Sequence, residues 1–570
     1  MGNKIELLAP AGSMANLKAA VSKGADAIYL GMQRFSARDF ATNFNEKFLK
    51  EGIKICKSNN VKTYLTMNTL VKNNELTDFF KQLSFAYEKG IDSVIIQEIS
   101  LINLIKEQYP DLKVHISTQA GVMNTNHALL LNNADRITLA RELTKTEISN
   151  IRNKFQKELE IFCHGALCSS LSGQCLFSSL LGGRSGNRGK CAQPCRKKYD
   201  NNYLLSTKEL CLIKEIPKII QLGINAIKIE GRMRTPYYVA TTTEIYRKAI
   251  DSFYNGNFQI EKKTLSKLQD AFSREFTEGW FNNSKDIFNI KNASAKKTMH
   301  FKEFYEVKTK DIKTERKLIK AKLPKIRYNP SKSMLAVRAY NKESALLADE
   351  NGADIVYFDL FDNNFTELKN RLKCKLYGII PRIVLDSNIN NIIENIKNKK
   401  PEGIFTGNYS VLNLNLNIPI HVDYNFNCFN EISLDYFKEK NTLPIVSPEL
   451  SIRELKQFQN KNFMVLVHGK IKLMTLRHNL PEGWIKDERE GLFKIRHIKN
   501  GSEILNRKEI GLLSKSESLV NSGINKFFID TDKSIAKIVR LYRKILDGEK
   551  ITDSRLKKKY VLGWSQKGVI

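Results

Sequence analysis

KGADAIYL, residues 23–30, returns as NGADIVYF at residues 351–358. Five further matches follow in the same order. KVHI at 113–116 answers PIHV at 419–422, and ARELTKTEI at 140–148 answers SPELSIREL at 447–455. FCHG at 162–165 answers LVHG at 466–469, LGINAIKIE at 222–230 answers SGINKFFID at 522–530, and YRK recurs at 246–248 and 542–544. The offset drifts only from 328 at the first pair to 296 at the last. Six matches in order with so little drift make the chain two copies of one unit, the second diverged.

Each copy shows short apolar runs separated by amphipathic stretches. In the first copy the runs are Glu6–Ala9, Ala27–Gly31, Thr63–Met67, Ser93–Gln97, Val114–Ser117, Arg136–Ala140, Glu160–Cys163 and Ala226–Glu230. Most intervals are long enough for a helix, as at Met14–Lys23 and Leu101–Tyr109. Buried strands alternating with helices predict an α/β fold with a parallel sheet. Eight of them predict a TIM-like β/α barrel, with a second, diverged barrel-like copy in tandem. The predicted boundaries are 1–295 for the first barrel, 296–334 for a basic linker or small insert, 335–550 for the second copy and 551–570 for a basic tail.

Lys and Arg total 92 against 60 Asp and Glu, a formal charge of +32. A surplus of that size predicts a polyanionic partner, of which nucleic acid is the commonest. No apolar run near Met1 is long enough for a secretory h-region and none elsewhere spans a bilayer, which predicts a cytoplasmic protein with no membrane partner. Six of the nine cysteines fall between Cys163 and Cys211. In a reducing compartment such clustering favours metal or redox chemistry over disulfides.

The densest part is Cys168, Cys175, Cys191 and Cys195, within a predicted metal loop over 163–198. The spacing C-x6-C-x15-C-x3-C lacks the two close pairs usual in zinc ribbons, and iron–sulfur clusters accept looser patterns. Spacing alone therefore indicates a metal without fixing which one. Glycines 182, 183, 186 and 189 are placed to fold the loop tightly, and Cys163 and Cys211 read as core. The offset of 304 puts Lys472 and Asn479 where the first copy has Cys168 and Cys175, so one site per chain is expected. In a β/α barrel, chemistry gathers at the C-terminal strand ends. The polar residues following the apolar runs include Asn68, Gln97, Glu98, His115, Ser117, Gln119, Arg141, Glu142, His164, Glu230 and Arg232.

The run LEIFCHGALCSSLSGQCLFSSLLGGRSGNRGKCAQPCR at 159–196 resembles the signature of the peptidase U32, or collagenase-like, family. So do LAPAG at 8–12, YLGMQRFSAR at 29–38, HISTQ at 115–119 and IEGRMRTPYYV at 229–239. (The alanine, proline, alanine and glycine of the second motif occupy 9–12, after Leu8.) The likeness covers most of 5–290 and, more weakly, 335–548. The family name implies proteolysis, yet the chain has neither a His-Glu-x-x-His zinc motif nor a Gly-x-Ser-x-Gly elbow. The resemblance instead implies an iron–sulfur enzyme that hydroxylates without O2, and the GGRSGNRGKCAQPCR form with the two-copy length is most similar to the 23S rRNA 5-hydroxycytidine synthase branch. A tRNA 5-hydroxyuridine synthase, a true peptidase and a noncatalytic RNA-binding protein with a structural metal are the alternatives.

On that resemblance Cys168, Cys175, Cys191 and Cys195 would hold one 4Fe–4S cluster, with prephenate or a similar dicarboxylate as hydroxyl donor. Arg184, Arg188 and Arg196, with Lys197 and Lys198, would grip phosphates of RNA, rRNA before tRNA. Arg38, Arg141 and Arg232 would bind the donor. His115, His164 and Glu230, taken as strand-end groups, would transfer protons. The target base would have to be turned out to reach a recessed mouth.

Overall fold

A computed structural model describes residues 4–272, 274–284, 286–288, 305–549 and 560–570. Parts of the predicted linker (296–304) and tail (551–559) lie outside the described residues. The chain divides into two compact units: 1–71 with 75–173 and 186–323, and 72–74 with 174–185 and 324–570.

The first unit contains β1 (Glu6–Ala11), β2 (Ala27–Gly31), β3 (Lys62–Met67), β4 (Ser93–Ile96), β5 (Lys113–Ile116), β6 (Arg136–Thr138), β7 (Glu158–Ala166), β8 (Glu209–Cys211), β9 (Ala226–Ile229) and β10 (Phe276–Thr277). β1 to β7 run in order, β9 pairs with both β7 and β1, and every one of these ladders is parallel. The result is the closed eight-stranded barrel, each predicted run supplying one strand. β8, which the sequence did not announce, pairs antiparallel with the end of β7. The helices start where side chains cap them: Ser13 accepts from Asn16 N ahead of Met14–Ser22, and Thr144 with Glu147 forms a capping box ahead of Lys145–Lys154.

Inward-facing positions of the lower barrel carry charge. Arg136 bonds Glu6 at 2.6 Å and reaches Glu160 at 3.4 Å, Lys228 bonds Glu160 at 2.9 Å, and the Tyr64 hydroxyl donates to Glu6 at 2.9 Å. Mutual pairing is what makes such burial tolerable. Apolar packing of Leu8, Ala27, Tyr29, Tyr64 and Ile95 fills the space between these groups.

The second unit contains β11 (Met334–Arg338), β12 (Ile355–Asp359), β13 (Lys375–Ile380), β14 (Gly403–Thr406), β15 (Ile420–Val422), β16 (Thr442–Pro444) and β17 (Val465–Gly469). It continues with β18 (Lys472–Leu476), β19 (Gly483–Lys486), β20 (Leu492–Ile498), β21 (Gly501–Asn506), β22 (Ile510–Gly511) and β23 (Lys526–Asp530). β11 to β16 run parallel in order, with β23 and β17 following on the other side of β11. Between β16 and β17 the ladder shrinks to the Ile445–Met464 bridge, with Met464 N donating to Pro444 O at 2.9 Å. Its core is aromatic: Tyr357 stacks on Phe405 at 4.3 Å, and Phe528 lies 5.5 Å from Phe405. β18 to β21 form a separate antiparallel sheet in the order β18–β21–β20–β19.

The boundary falls at 323/324, inside the predicted linker. Residues 305–323 belong with the first unit, where Arg316 N donates to Glu88 O at 2.7 Å. The described part of the predicted tail is structural too: Trp564 is buried in the second unit and donates to Ser179 O at 3.0 Å.

Candidate active site

The strand ends of the first barrel converge on Glu230, just past β9. Arg38 donates twice to one Glu230 oxygen, at 3.1 and 3.2 Å. Burial would raise the Glu230 carboxyl, but Arg38, Arg141 and Arg232 outweigh it and hold it below its ordinary range. Glu230 is therefore a carboxylate that organises arginines. Arg232 is buried, bonds Thr66 Oγ1 at 3.0 Å, and is held further by Ser36 and Asn43. A methyl at Gly31 would sit 2.5 Å from the Arg232 guanidinium, which explains the glycine at the end of β2. Burial lowers the Arg232 pKa to about 10. The Arg141 guanidinium lies 4.1 Å from the Phe162 ring centroid. The three arginines expected to share a task do share a place.

The loop after β7 reaches this mouth. Gly173 (φ +81) passes so close that an added Cβ would lie 2.0 Å from Gln119 O. Gly189 (φ +85) does the same with Ser36 O at 2.3 Å. These two approaches, more than Gly182 and Gly183, which face open space, fix the loop. Burial raises the Cys168 thiol, with Arg141 opposing and Glu142 and Cys191 adding to it. Burial, then Cys168, push Cys195 up to about 12. Cys191 also acts on Arg38. Cys168, Cys191 and Cys195 are thus electrostatically coupled to one another, Cys168 to Arg141 and Cys191 to Arg38. Cys175 lies on 174–185, which belongs with the second unit, as does Arg184. Among the described residues no group of three or more His, Cys, Asp or Glu side chains is arranged to hold a metal ion.

Several buried polar atoms near this mouth have no partner among the described residues. Both amide atoms of Gln97, which is 4% exposed, belong to this set, with Gln119 Oε1, Arg141 Nε and Ser169 Oγ. Native interiors satisfy nearly all such groups, so a concentration of orphans marks a place for solvent or ligand. Gln97 was visible in the sequence only as one strand-end polar residue among many. Ser36, Thr66 and Asn43, the supports of Arg232, carried no signal at all.

Other sequence assignments move. His115 lies inside β5, not at the mouth. It is 3.3 Å from Ser93 Oγ and edge-on to Tyr64, and burial, then Arg136 and Lys228, push its pKa well down. His164 faces Tyr238, Tyr246 and Phe276, with Nδ1 3.4 Å from the Tyr246 hydroxyl, and burial lowers it to about 3. A bulge at Phe162/His164 accompanies this placement. The His164 arrangement recurs in the second copy, where His468 meets Tyr542 at 3.4 Å; His421 keeps only the ring contact of His115, at 4.8 Å from Tyr377, and bonds the Tyr357 hydroxyl at 2.6 Å instead of a serine. A feature present in both copies, one without the cysteines, belongs to the framework. Arg188 is consumed by Glu75 (2.7 and 2.8 Å) and Leu70 O (2.9 Å). Arg196 is bound to Ser206 Oγ at 2.9 Å and to Thr207 O. Both pin the loop instead of presenting a free fork to phosphate.

This mouth, a thiol-rich loop folded over an arginine-ringed β/α barrel, defines the class. The model of peptidase family U32 matches residues 12–291, and the chain belongs to that family. An uncharacterised protease of Methanocaldococcus jannaschii is 39% identical over 49% of this chain and 73% of its own length. The tRNA hydroxylation protein P1 of Bacillus subtilis is 36% identical over 49% of this chain and 71% of its own length. The 23S rRNA 5-hydroxycytidine C2501 synthase of Escherichia coli is 30% identical over 50% of this chain and 45% of its own length. No described helix is long and apolar enough to cross a membrane.

Proposed function

We propose that this protein is an RNA-modifying enzyme that places a 5-hydroxyl on a pyrimidine, using an iron–sulfur cluster, an O2-independent route and a prephenate-type donor. The observation that carries the reading is the meeting of Cys168 and Cys191 with Arg141 and Arg38 at one barrel mouth. A lone tetrahedral ion draws thiolates to about 2.3 Å from one centre, an arrangement the described residues lack. An iron–sulfur cluster takes one thiolate at each iron, and an all-cysteine donor set is chemistry that such a cluster accepts. Cys168, Cys191 and Cys195 of the first unit would hold it. The cluster would supply redox or Lewis-acid chemistry there.

The chain's own residues do the rest. Arg38 and Arg141 offer guanidinium groups to the carboxylates of the donor. Glu230, kept ionised by its arginines, orients Arg38. Gln97 offers one donor and one acceptor to the edge of a base turned into the mouth. rRNA is the substrate suggested by the loop sequence. tRNA is the second reading, favoured because the tRNA hydroxylation relative is matched over the larger share of its length. Proteolysis by a Cys168–His164 dyad has little support, since His164 Nδ1 faces Tyr246.

Nucleoside mass spectrometry of separated rRNA and tRNA, from cells with and without the gene, tests the proposal. A 5-hydroxypyrimidine should vanish in the deletion and return with the wild type but not with Cys168→Ala. Unchanged nucleosides in both fractions would refute it.

A further inference from the structure

The inserted sheet β18–β21 has no counterpart among the described strands of the first unit. β18 and β21 are buried throughout, whereas the hairpin β19–β20 has two distinct faces. Ile485, Phe493 and Ile495 are buried on one of them. Trp484 stands on the other and is 51% exposed. A half-solvated indole leaves a large planar surface without a partner. Trp484 pairs in register with Lys494, which puts both side chains on the same face. The Lys470 ammonium lies 5.6 Å from the Trp484 ring centroid. Arg496, two residues beyond Lys494, is held by Glu503 at 2.8 Å and lies 5.1 Å from the ring centroid of Tyr340. Tyr340 is itself 36% exposed. Tyr340 is already engaged, its ring also 5.0 Å from Arg338 and its hydroxyl donating to Asp530, so Trp484 is the open ring of this face.

We infer that this face binds single-stranded RNA, with a base stacked on Trp484 and phosphates met by Lys470 and Lys494. The inference rests on the RNA reading above but uses residues outside the cysteine loop. Three observations select this partner. Residues 470–508 carry ten Lys and Arg against five Asp and Glu, the charge that suits a polyanion. Exposed rings beside ammonium groups are how sequence-tolerant single-strand sites are built, because every base has a π-face. A duplex hides those faces in its own stack and would leave the Trp484 ring unused. A partner protein adding a strand would use the edge of β19, where exposed Lys486 opposes such pairing.

The test uses the full chain and a short fluorescent single-stranded oligoribonucleotide, with a duplex of the same sequence beside it. Trp484→Ala should weaken single-strand binding roughly ten- to hundredfold, and Trp484→Phe should restore most of it. Lys494→Glu should weaken binding and flatten its salt dependence. If nucleosides prove unchanged in the deletion strain while Trp484→Ala still weakens binding, the hydroxylase reading fails and this one stands. Unaltered affinity in Trp484→Ala, equal losses for duplex and single strand, or no binding by the wild type overturns it.

Discussion

The two copies treat the same position in opposite ways. After β7 the first unit inserts a loop that brings thiols to a mouth with unsatisfied polar atoms. After β17 the second unit inserts a sheet, and ion pairs cross its mouth, where Asp530 Oδ2, Arg338 Nε and Asn425 Oδ1 also lack a hydrogen bond among the described residues. Lys472, at the repeat position of Cys168, bonds Asp423 at 3.1 Å and lies 3.4 Å from Asp530, the counterpart of Glu230. Arg382 completes the lock with Asp423 at 2.8 Å. Beneath both mouths the framework is shared, down to the His–Tyr pairs and the Arg–Asp clasps Arg247–Asp26 and Arg543–Asp354. One fold thus carries the proposed site in one copy and ion pairs at the same place in the other, and that contrast can be broken experimentally.

The largest effect belongs to the thiols. Cys168→Ala should abolish iron binding and the charge-transfer absorbance of the purified protein, and Lys472→Cys should create neither. Iron retained in the first variant would remove Cys168 from the ligand set. Next comes the lock: Asp423→Asn strands Arg382 and Lys472 in the interior and should cost about 3–5 kcal/mol of the second unit's stability, read by chemical denaturation. A loss near zero would mean the pairs do not stabilise that unit. Acid should then act on both frameworks together. Burial pushes His164 and His421 down to about 3, against about 6.5 when unfolded. Their neutral forms favour the folded state fully above about pH 6.5, and that contribution is lost as pH falls towards 3. The Tm should therefore drop between pH 7 and 5, where carboxylates scarcely titrate; a flat Tm would contradict the burial. The smallest change is the most exacting for equivalence. Tyr246→Phe and Tyr542→Phe each remove a hydroxyl bonded at 2.8 Å to a strand carbonyl, Cys163 O and Val467 O, and each should cost about 1 kcal/mol. Unequal costs would show that the copies have diverged beneath the mouths as well.

The barrel was legible because parallel strands are buried on both sides and read as unbroken apolar runs. The repeat then carried the second copy. The sequence drew attention to the cysteines and to Arg38, Arg141 and Arg232 because they follow strands, and the structure couples Arg38, Arg141 and Arg232 to Glu230. His115 misled because it faces the barrel interior from within β5, below the mouth, and His164 because a bulge shifts the parity there. Arg188 and Arg196 misled because a charge run does not show that Glu75 or Thr207 O already holds it. The inserted sheet did leave a trace: LFKIRHI at 492–498 alternates with period two, overshadowed by the barrel repeat around it.

The different cores of the barrel and of its barrel-like copy have a consequence for how a duplicated chain finds its own strands. Tandem copies with matching seams are prone to exchange pieces while folding. Here Glu6, Glu160 and Lys228 of the first core stand where the second has Met334, Met464 and Phe528. A β9 that strayed into the aromatic core would bring Lys228 there without Glu160, and β23 in the charged core would leave Glu160 without its lysine. Each interior thus works as a password that the other copy's strands cannot supply, and correct assembly follows from chemistry even where the outlines are the same.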